Sequence, residues 1–330
     1  MYTVSVIIPC YNSSSYIEEC INSALNQTLS NVQVIVVDDG STDKSLDIIN
    51  KFSNYENLKI ISFSKNCGVG MARNEAIKHA RGEFIGFLDS DDWVDKDMYK
   101  KMYDFAKSKN LEMAICGIHF FNSKGTIQNL FFDDNTDIGN ASIQVHRCYA
   151  SRIISRDFWS ENRLNFWNRK FEDVHLYSQY FNVMRNYGYL QEPLYHYRRG
   201  HKSIAGKSVS INWMDLFDAE IRVYLKAPTY GLAATILNDL SIQFISSIRG
   251  LYFLAYLKAF LKVRHYLKDS DYKKFIRRTR IQQRLVCFLS SFFASLLIKK
   301  ADTDCDLDKL NELKKDLPLA AITIRREWEE

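Results

Sequence analysis

The sequence predicts an α/β fold with a mostly parallel central sheet, followed by a helical C-terminal region. Three observations carry this. Short apolar runs alternate with amphipathic stretches of roughly 10–12 residues through the first 125 positions, the pattern of βαβ units. Residues 32–37 form a β-branched run, as expected for a strand covered on both faces. From about 209 to 298 apolar residues recur at three-to-four spacing, which reads as helix throughout.

Taken in order, residues 4–9 predict a first strand. Residues 16–26 predict a helix with Ile17, Cys20, Ile21, Ala24 and Leu25 on one face, capped by Ser13, Ser14 or Ser15. After the strand at 32–37, Ser41, Thr42 and Asp43 open a helix over 42–52. A strand at 58–63, a helix at 69–80, a strand at 84–88, a helix at 96–109 and a strand at 113–121 follow. Between 122 and 170 the pattern weakens to one strand at 126–132 within irregular, aromatic-rich sequence. A helix at 173–186 and a strand at 189–197 complete this part. No repeat is present, and the glycines at 200 and 206 set a boundary that gives domains 1–208 and 209–330.

Composition narrows the classes. A chain of 330 residues with 46% hydrophobic and 25% charged residues is globular, and 13 Gly with 4 Pro exclude collagen-like or low-complexity architecture. The seven cysteines are scattered, with no CxxC and no Cys/His cluster, so neither a disulfide framework nor a zinc site is expected. A reduced, cytoplasmic compartment follows, and the N-terminal residues read as a strand rather than a leader.

The net charge of +5 is unevenly spread. Residues 249–300 carry 13 Lys or Arg and two Asp, a local +11 that leaves −6 for the rest of the chain. Such asymmetry points to a polyanionic partner. Lys258, Lys262 and His265 share a helical face opposite Leu254, Leu257, Phe260 and Leu261. The dense basic stretch 273–284 is followed by a 14-residue apolar run, 285–298, containing Phe288, Phe292 and Phe293. That run is short of the ~20 residues needed to span a bilayer. The expectation is therefore in-plane association with an anionic membrane, the alternative being helices that pack on the first domain. Nucleic acid is not expected, since no recognised binding module surrounds the tract.

In an open parallel sheet, ligands bind beyond the carboxyl ends of the strands. Here those ends run into Pro9-Cys10-Tyr11-Asn12, Asp38-Asp39-Gly40-Ser41-Thr42-Asp43 and Asp89-Ser90-Asp91-Asp92-Trp93. Acidic residues crowded at one sheet edge repel unless something cationic sits among them. Asp89 and Asp91, two apart at a strand end, suit a hard divalent cation, Mg²⁺ or Mn²⁺. Neither GxGxxG nor GxxxxGK[ST] occurs, and Gly68-Val69-Gly70 before Arg73 is a weak substitute. The reading is a nucleotide diphosphate held through a metal, with Arg73 assisting the phosphates and Tyr11 offering its ring to a base.

These residues also carry a family likeness. PCYN at 9–12, VDDGSTD at 37–43, NCGVGMARN at 66–74 and GEFIGFLDSDDW at 82–93 resemble, in order and spacing, inverting family 2 glycosyltransferases of the GT-A fold. A weaker continuation through Arg156-Asp157-Phe158, Phe166, Glu172-Asp173 and Tyr195-His196-Tyr197-Arg198 resembles the acceptor-side half of bacterial capsule, O-antigen and lipopolysaccharide-core members. The resemblance implies a nucleotide-sugar half at 1–125, an acceptor half at 126–208, a UDP-sugar donor and a glycan or lipid-linked acceptor. Pro9, Tyr11, Asn12, Asp39, Arg73 and Asp89 then line the nucleotide, with Tyr11 and Asp39 at the uracil and Asp39 accepting from a ring N–H. Asp91 coordinates the metal, with Asp89 and His196 as further ligand candidates. Asp173 is the implied base that takes the acceptor proton, and Glu172 the second choice.

Each residue also has a plainer reading. Asp38 suits a structural acceptor and Asp43 a helix N-terminus, and the Glu172-Asp173 pair suits a helix dipole alone. His196, between two tyrosines, suits a packed strand residue, and Trp93 suits core packing as well as a sugar-pocket wall. Two rival functions remain at this point. A sugar nucleotidyltransferase calls for a Gly/Arg/Lys-rich loop after the first strand, where this chain has PCYNSSS. The other rival is a catalytically inactive GT-A-fold binding protein, against which the intact Asp39, Asp89, Asp91 and Asp173 argue.

Overall fold

A computed structural model describes residues 2–122, 125–131, 149–169, 172–180 and 183–199, all within a unit spanning Met1–Thr279. The expected boundary near 208, the helices at 209–298 and the basic tract at 249–300 lie outside the described residues. The elements run β1 (Val4–Cys10), α1 (Ile17–Leu25), β2 (Val32–Asp38), α2 (Ser45–Asn50), β3 (Leu58–Ser62) and α3 (Val69–Lys78). There follow β4 (Phe84–Phe87), β5 (Trp93–Val94), α4 (Met98–Ser108), β6 (Met113–Asn122) and β7 (Gly125–Leu130). After a 3₁₀ turn at Tyr149–Ser151 come β8 (Arg152–Ser155), α5 (Arg156–Glu161), α6 (Glu172–Tyr180) and β9 (Tyr187–Arg198).

The strands order as β3-β2-β1-β4-β8-β6-β9-β5, with β7 paired to β6. From β3 to β4 every pairing is parallel. This is the half whose strands read as continuous apolar runs, because helices cover both faces: all seven residues of β1 and all seven of β2 are buried. Gln33 is the polar residue inside β2 ahead of the terminal Asp38, and its amide is satisfied. It accepts from Ser5 Oγ (2.6 Å) and the Arg81 N–H (2.8 Å) and donates to the His79 carbonyl (3.1 Å). Beyond β4 the sheet is mixed, β8 running antiparallel to β4 and β6 while β9 runs parallel to β6.

The register sets the site. Cys10 pairs with Asp38 and Ile7 with Phe87, so the polar segments after β1, β2 and β4 emerge on one edge. Helix α1 buries Ile17, Cys20, Ile21 and Ala24, four of the five positions read from the sequence. Its N-terminus differs from expectation. The N-cap residue is Tyr16, with no side-chain cap, because the preceding serines knit loops together instead: Ser13 Oγ meets Ser90 Oγ at 2.7 Å and Ser13 N donates to Ser45 Oγ. Helix α2 likewise starts at Ser45, not 42, because the Thr42 N–H donates to Asn12 Oδ1 (2.8 Å) and the intervening residues form a turn.

Three elements were not anticipated. Strand β5 is two residues long and pairs Trp93 with His196. Strand β8 carries a fully buried arginine, Arg152, in a four-residue stretch otherwise too short to read. The third is α5, capped by Ser155 accepting from the Phe158 N–H. Between the two halves Phe87 packs against Tyr149, Trp159 and Phe166 with ring centroids 5.4–5.7 Å apart. Among the described residues no helix is long and apolar enough to cross a membrane.

Candidate active site

The first wall is made by the loops after β1 and β2. Asn12 takes φ 51°, a left-handed conformation that asparagine tolerates, and its Oδ1 accepts from Thr42 N. Its own N–H donates to Ser41 Oγ at 3.0 Å, so the PCYN and DGSTD segments are stitched directly. Asp43 accepts from the N–H groups of Ser45 (2.9 Å) and Ser14 (3.1 Å). Burial raises its carboxyl, but these bonds outweigh it and the net shift is downward. Asp38 is the structural acceptor expected, receiving the Ser41 N–H at 3.2 Å.

Asp39 is 2% exposed, and its two oxygens accept from the N–H groups of Cys67 (2.7 Å) and Gly68 (2.9 Å). It thereby pins the loop that leads into α3. Burial raises its carboxyl against the opposing pull of those two bonds. Gly40 permits this closure: at φ +68° a Cβ there would stand 2.5 Å from the Lys65 carbonyl carbon. Gly70 permits the next one, since a Cβ there would collide with the Trp167 carbonyl oxygen. Asn74 completes the clamp, exchanging two hydrogen bonds with the backbone of Phe166 (2.7 and 2.9 Å).

Helix α3 points Arg73 into the centre. The guanidinium is buried and donates to Asp89 Oδ1 at 2.8 Å and to Glu172 Oε1 at 2.6 Å. It lies 4.3 Å above the ring centre of Tyr149 and 5.3 Å from that of Phe166. Tyr149 Oη also donates to Asp89 Oδ1 (3.1 Å). Burial pushes the Asp89 carboxyl up, Arg73 pulls it back, and Asp91 and Glu172 push it up again, to about 6. The structure thus joins Asp89 and Arg73 with Glu172, the second choice for the base, and puts Asp173 beside it in the first turn of α6.

Asp91 lies in a turn held from β9. The Arg198 Nε donates to the Asp91 carbonyl at 2.9 Å and its backbone N–H to Asp92 Oδ1 at 2.8 Å. Asp92 is 2% exposed and accepts from Tyr195 Oη at 2.6 Å; burial raises its carboxyl well above the usual range. The Arg198 guanidinium sits between the rings of Trp93 (4.5 Å) and Tyr16 (4.9 Å) and reaches Glu19 at 2.7 Å. His196 stacks on Trp93 (5.0 Å) and His119 (4.9 Å) and its Nε2 meets Asp95 Oδ1 at 3.0 Å, the contacts of a packed strand residue. Burial lowers its pKa despite Asp95.

Asp89 and Asp91 supply the hard oxygen donors a divalent metal takes. Among the described residues no three His, Cys, Asp or Glu side chains gather into a ligand cage. Tyr149 was missed from the sequence, while Tyr195 was read only within the acceptor-side motif and Asp92 only within the acidic segment that follows β4. Arg198 was read only as part of the acceptor-side motif, and its hold on the Asp91 turn became visible only in three dimensions.

A parallel half with an acidic strand edge, joined through one arginine to a mixed half bearing a Glu-Asp pair, is the architecture of a GT-A glycosyltransferase. The chain belongs to glycosyl transferase family 2, whose sequence profile matches residues 5–186, more than half its length. It is 34% identical over 168 residues to a poly(ribitol-phosphate) beta-glucosyltransferase of Bacillus spizizenii, covering 49% of this chain and 26% of that protein. It is 39% identical over 134 residues to the poly(ribitol-phosphate) beta-N-acetylglucosaminyltransferase TarS of Staphylococcus aureus, covering 40% of this chain and 23% of TarS. The chain therefore spans about a quarter of the length of these curated relatives. A crystal structure of S. aureus TarS residues 1–349 with UDP-GlcNAc shares the fold, with TM-score 0.69, 24% identity and 82% of each chain covered.

Proposed function

We propose that this chain is a metal-dependent, inverting glycosyltransferase moving a sugar from a UDP-sugar to a hydroxyl of a glycan or lipid-linked acceptor in bacterial surface polysaccharide synthesis. The observation that carries the reading is the Arg73 bridge. One guanidinium binds Asp89, at the nucleotide edge, and Glu172, next to the candidate base. Donor and acceptor chemistry therefore meet within one side chain's reach. Two relatives, a poly(ribitol-phosphate) beta-glucosyltransferase and a poly(ribitol-phosphate) beta-N-acetylglucosaminyltransferase, support the substrate class.

In this reading Pro9, Tyr11, Asn12 and Asp39 form the base-side wall, and Asp89 and Arg73 fix the ribose and diphosphate side. Asp91, with Asp89 beside it, would hold a Mg²⁺ or Mn²⁺ ion, which when bound would supply positive charge to the diphosphate leaving group. Asp173, beside Glu172 in the first turn of α6, is the carboxylate assigned to take the acceptor's proton, with Glu172, which accepts from Arg73, as the second choice. A single in-line displacement inverts the anomeric centre, so an α-linked donor yields a β-linkage. His196, engaged with Asp95 and with the rings of Trp93, His119 and Phe121, is not assigned to the metal. We place the enzyme on the cytoplasmic face of the membrane through its basic tract at 249–300.

The test is a donor screen with UDP-Glc, UDP-Gal, UDP-GlcNAc, UDP-GalNAc and UDP-GlcA in the presence of Mn²⁺. UDP release from at least one is expected. UDP that neither stabilises the fold nor is released from any donor overturns the reading.

A further inference from the structure

We propose that Tyr149 is a positioning residue that holds the Asp89 carboxylate and the Arg73 guanidinium in register for donor binding, an inference that rests on the function proposed above. The residue stands in the 3₁₀ turn Tyr149–Ser151 ahead of β8, outside all four motifs that mark the nucleotide edge. Its side chain makes two different contacts. The hydroxyl donates to Asp89 Oδ1 at 3.1 Å, the same oxygen that receives Arg73 at 2.8 Å. The ring face lies 4.3 Å beneath the Arg73 guanidinium.

Geometry makes each contact specific. A guanidinium stacked on an aromatic face keeps its N–H groups in the plane where they meet carboxylates on two sides, here Asp89 and Glu172. An oxygen accepting from both a hydroxyl and a guanidinium is fixed in rotation, which leaves Asp89 Oδ2 facing one direction. The tyrosine ring is itself immobilised at 5% exposure, edge-on to Phe87 (5.4 Å) and Phe166 (5.6 Å). Tyr149 therefore joins a rigid aromatic core to the two charged groups that face the nucleotide. Removing its hydroxyl takes one of two donors from Asp89 Oδ1 while leaving the stack under Arg73; removing the ring loosens both Asp89 and Arg73.

The experiment compares Tyr149→Phe and Tyr149→Leu with the wild-type chain. UDP affinity is measured by calorimetry with Mn²⁺, Tm by thermal melting, and kcat and KM by UDP release from UDP-GlcNAc and UDP-glucose. Tyr149→Phe is expected to weaken UDP binding and raise donor KM about tenfold, with kcat within about twofold and Tm near wild type. Tyr149→Leu is expected to lose kcat as well, because Arg73 no longer anchors the start of α6, where Asp173, the assigned base, follows Glu172. If Tyr149→Phe binds UDP as wild type does, or loses affinity only in step with Tm, the positioning role is wrong and the ring merely packs. If neither donor turns over, the UDP affinities alone decide. Absence of UDP binding to the wild-type chain overturns the functional reading itself and the proposal with it, an outcome distinct from equal binding by wild type and Tyr149→Phe.

Discussion

Arg73 and Glu172, 99 residues apart in sequence, meet at 2.6 Å, and the same guanidinium holds Asp89 at 2.8 Å. One cation thus compensates two carboxylates from opposite halves of the fold in a largely buried setting. Removing it leaves both carboxylates uncompensated and close together. Arg73→Ala is expected to destabilise the protein by about 3 kcal/mol in chemical denaturation, the scale for breaking a buried pair from one side. Arg73→Lys should not restore it, because an ammonium cannot fork to two acceptors while stacking on Tyr149. A cycle with Glu172→Gln should show coupling of about 1 kcal/mol or more; additive single effects would show that the pair contributes no net interaction.

The base assignment concerns two neighbouring carboxylates, of which Glu172 accepts from Arg73. Asp173→Asn is expected to keep UDP binding and lose turnover by about 10²–10⁴-fold, since an amide preserves shape but takes no proton. Glu172→Gln should mainly loosen Arg73 and weaken donor binding. Retained kcat in Asp173→Asn together with its loss in Glu172→Gln moves the base to Glu172.

Much of this site was legible in the sequence, and the reason is topological. Parallel strands buried on both faces read as apolar runs, so the acidic residues that end them at Asp38-Asp39 and Asp89–Asp92 stand out by contrast. What was not legible depends on pairings distant along the chain. Tyr149 reaches Asp89 across 60 residues, and Arg198 reaches the Asp91 carbonyl across 107. Arg152 hides β8, because a fully buried arginine breaks the apolar pattern that would have marked a strand. Serines 13–15 looked like caps because capping is the local use of serine. Ser13 serves a tertiary one, bonding Ser90 and Ser45.

The proposed metal dependence is tested at Asp91. Asp91→Ala is expected to abolish the Mn²⁺-dependent part of UDP binding, because one fewer oxygen donor leaves the diphosphate charge poorly compensated. Calorimetry with UDP, with and without Mn²⁺, measures this. Unchanged affinity in the variant removes Asp91 from the metal assignment.

The Asp89 carboxyl gives a pH signature in chelator-treated protein. Its pKa is raised by burial, from 3.8 to about 6, so between those values the folded state binds the proton that the unfolded state has released. Stability contributed by this group is therefore full below about pH 4 and lost as pH rises towards 6 and beyond. The stability difference between wild type and Asp89→Asn should fall across that window and be flat outside it. A difference that rises with pH means that Arg73 dominates burial and holds the carboxyl below its usual range.

The basic tract at 249–300 gives the last prediction, argued from its charge. Its local +11 adjoins a Phe-rich apolar run of 14 residues, too short to cross a bilayer. Near an anionic surface each Lys or Arg contributes on the order of 1 kcal/mol, so a handful facing lipid suffices for reversible attachment. That attraction weakens with salt, whereas the contribution of Phe288, Phe292 and Phe293 persists. Replacing Lys273, Lys274, Arg277, Arg278, Arg280 and Arg284 by Ser should therefore lower co-sedimentation with liposomes containing anionic lipid. UDP release should survive, because every residue assigned to the chemistry precedes position 199. Equal binding of the wild-type chain to anionic and neutral liposomes, or binding to neither, would show that the tract packs on protein and that membrane attachment is not its role.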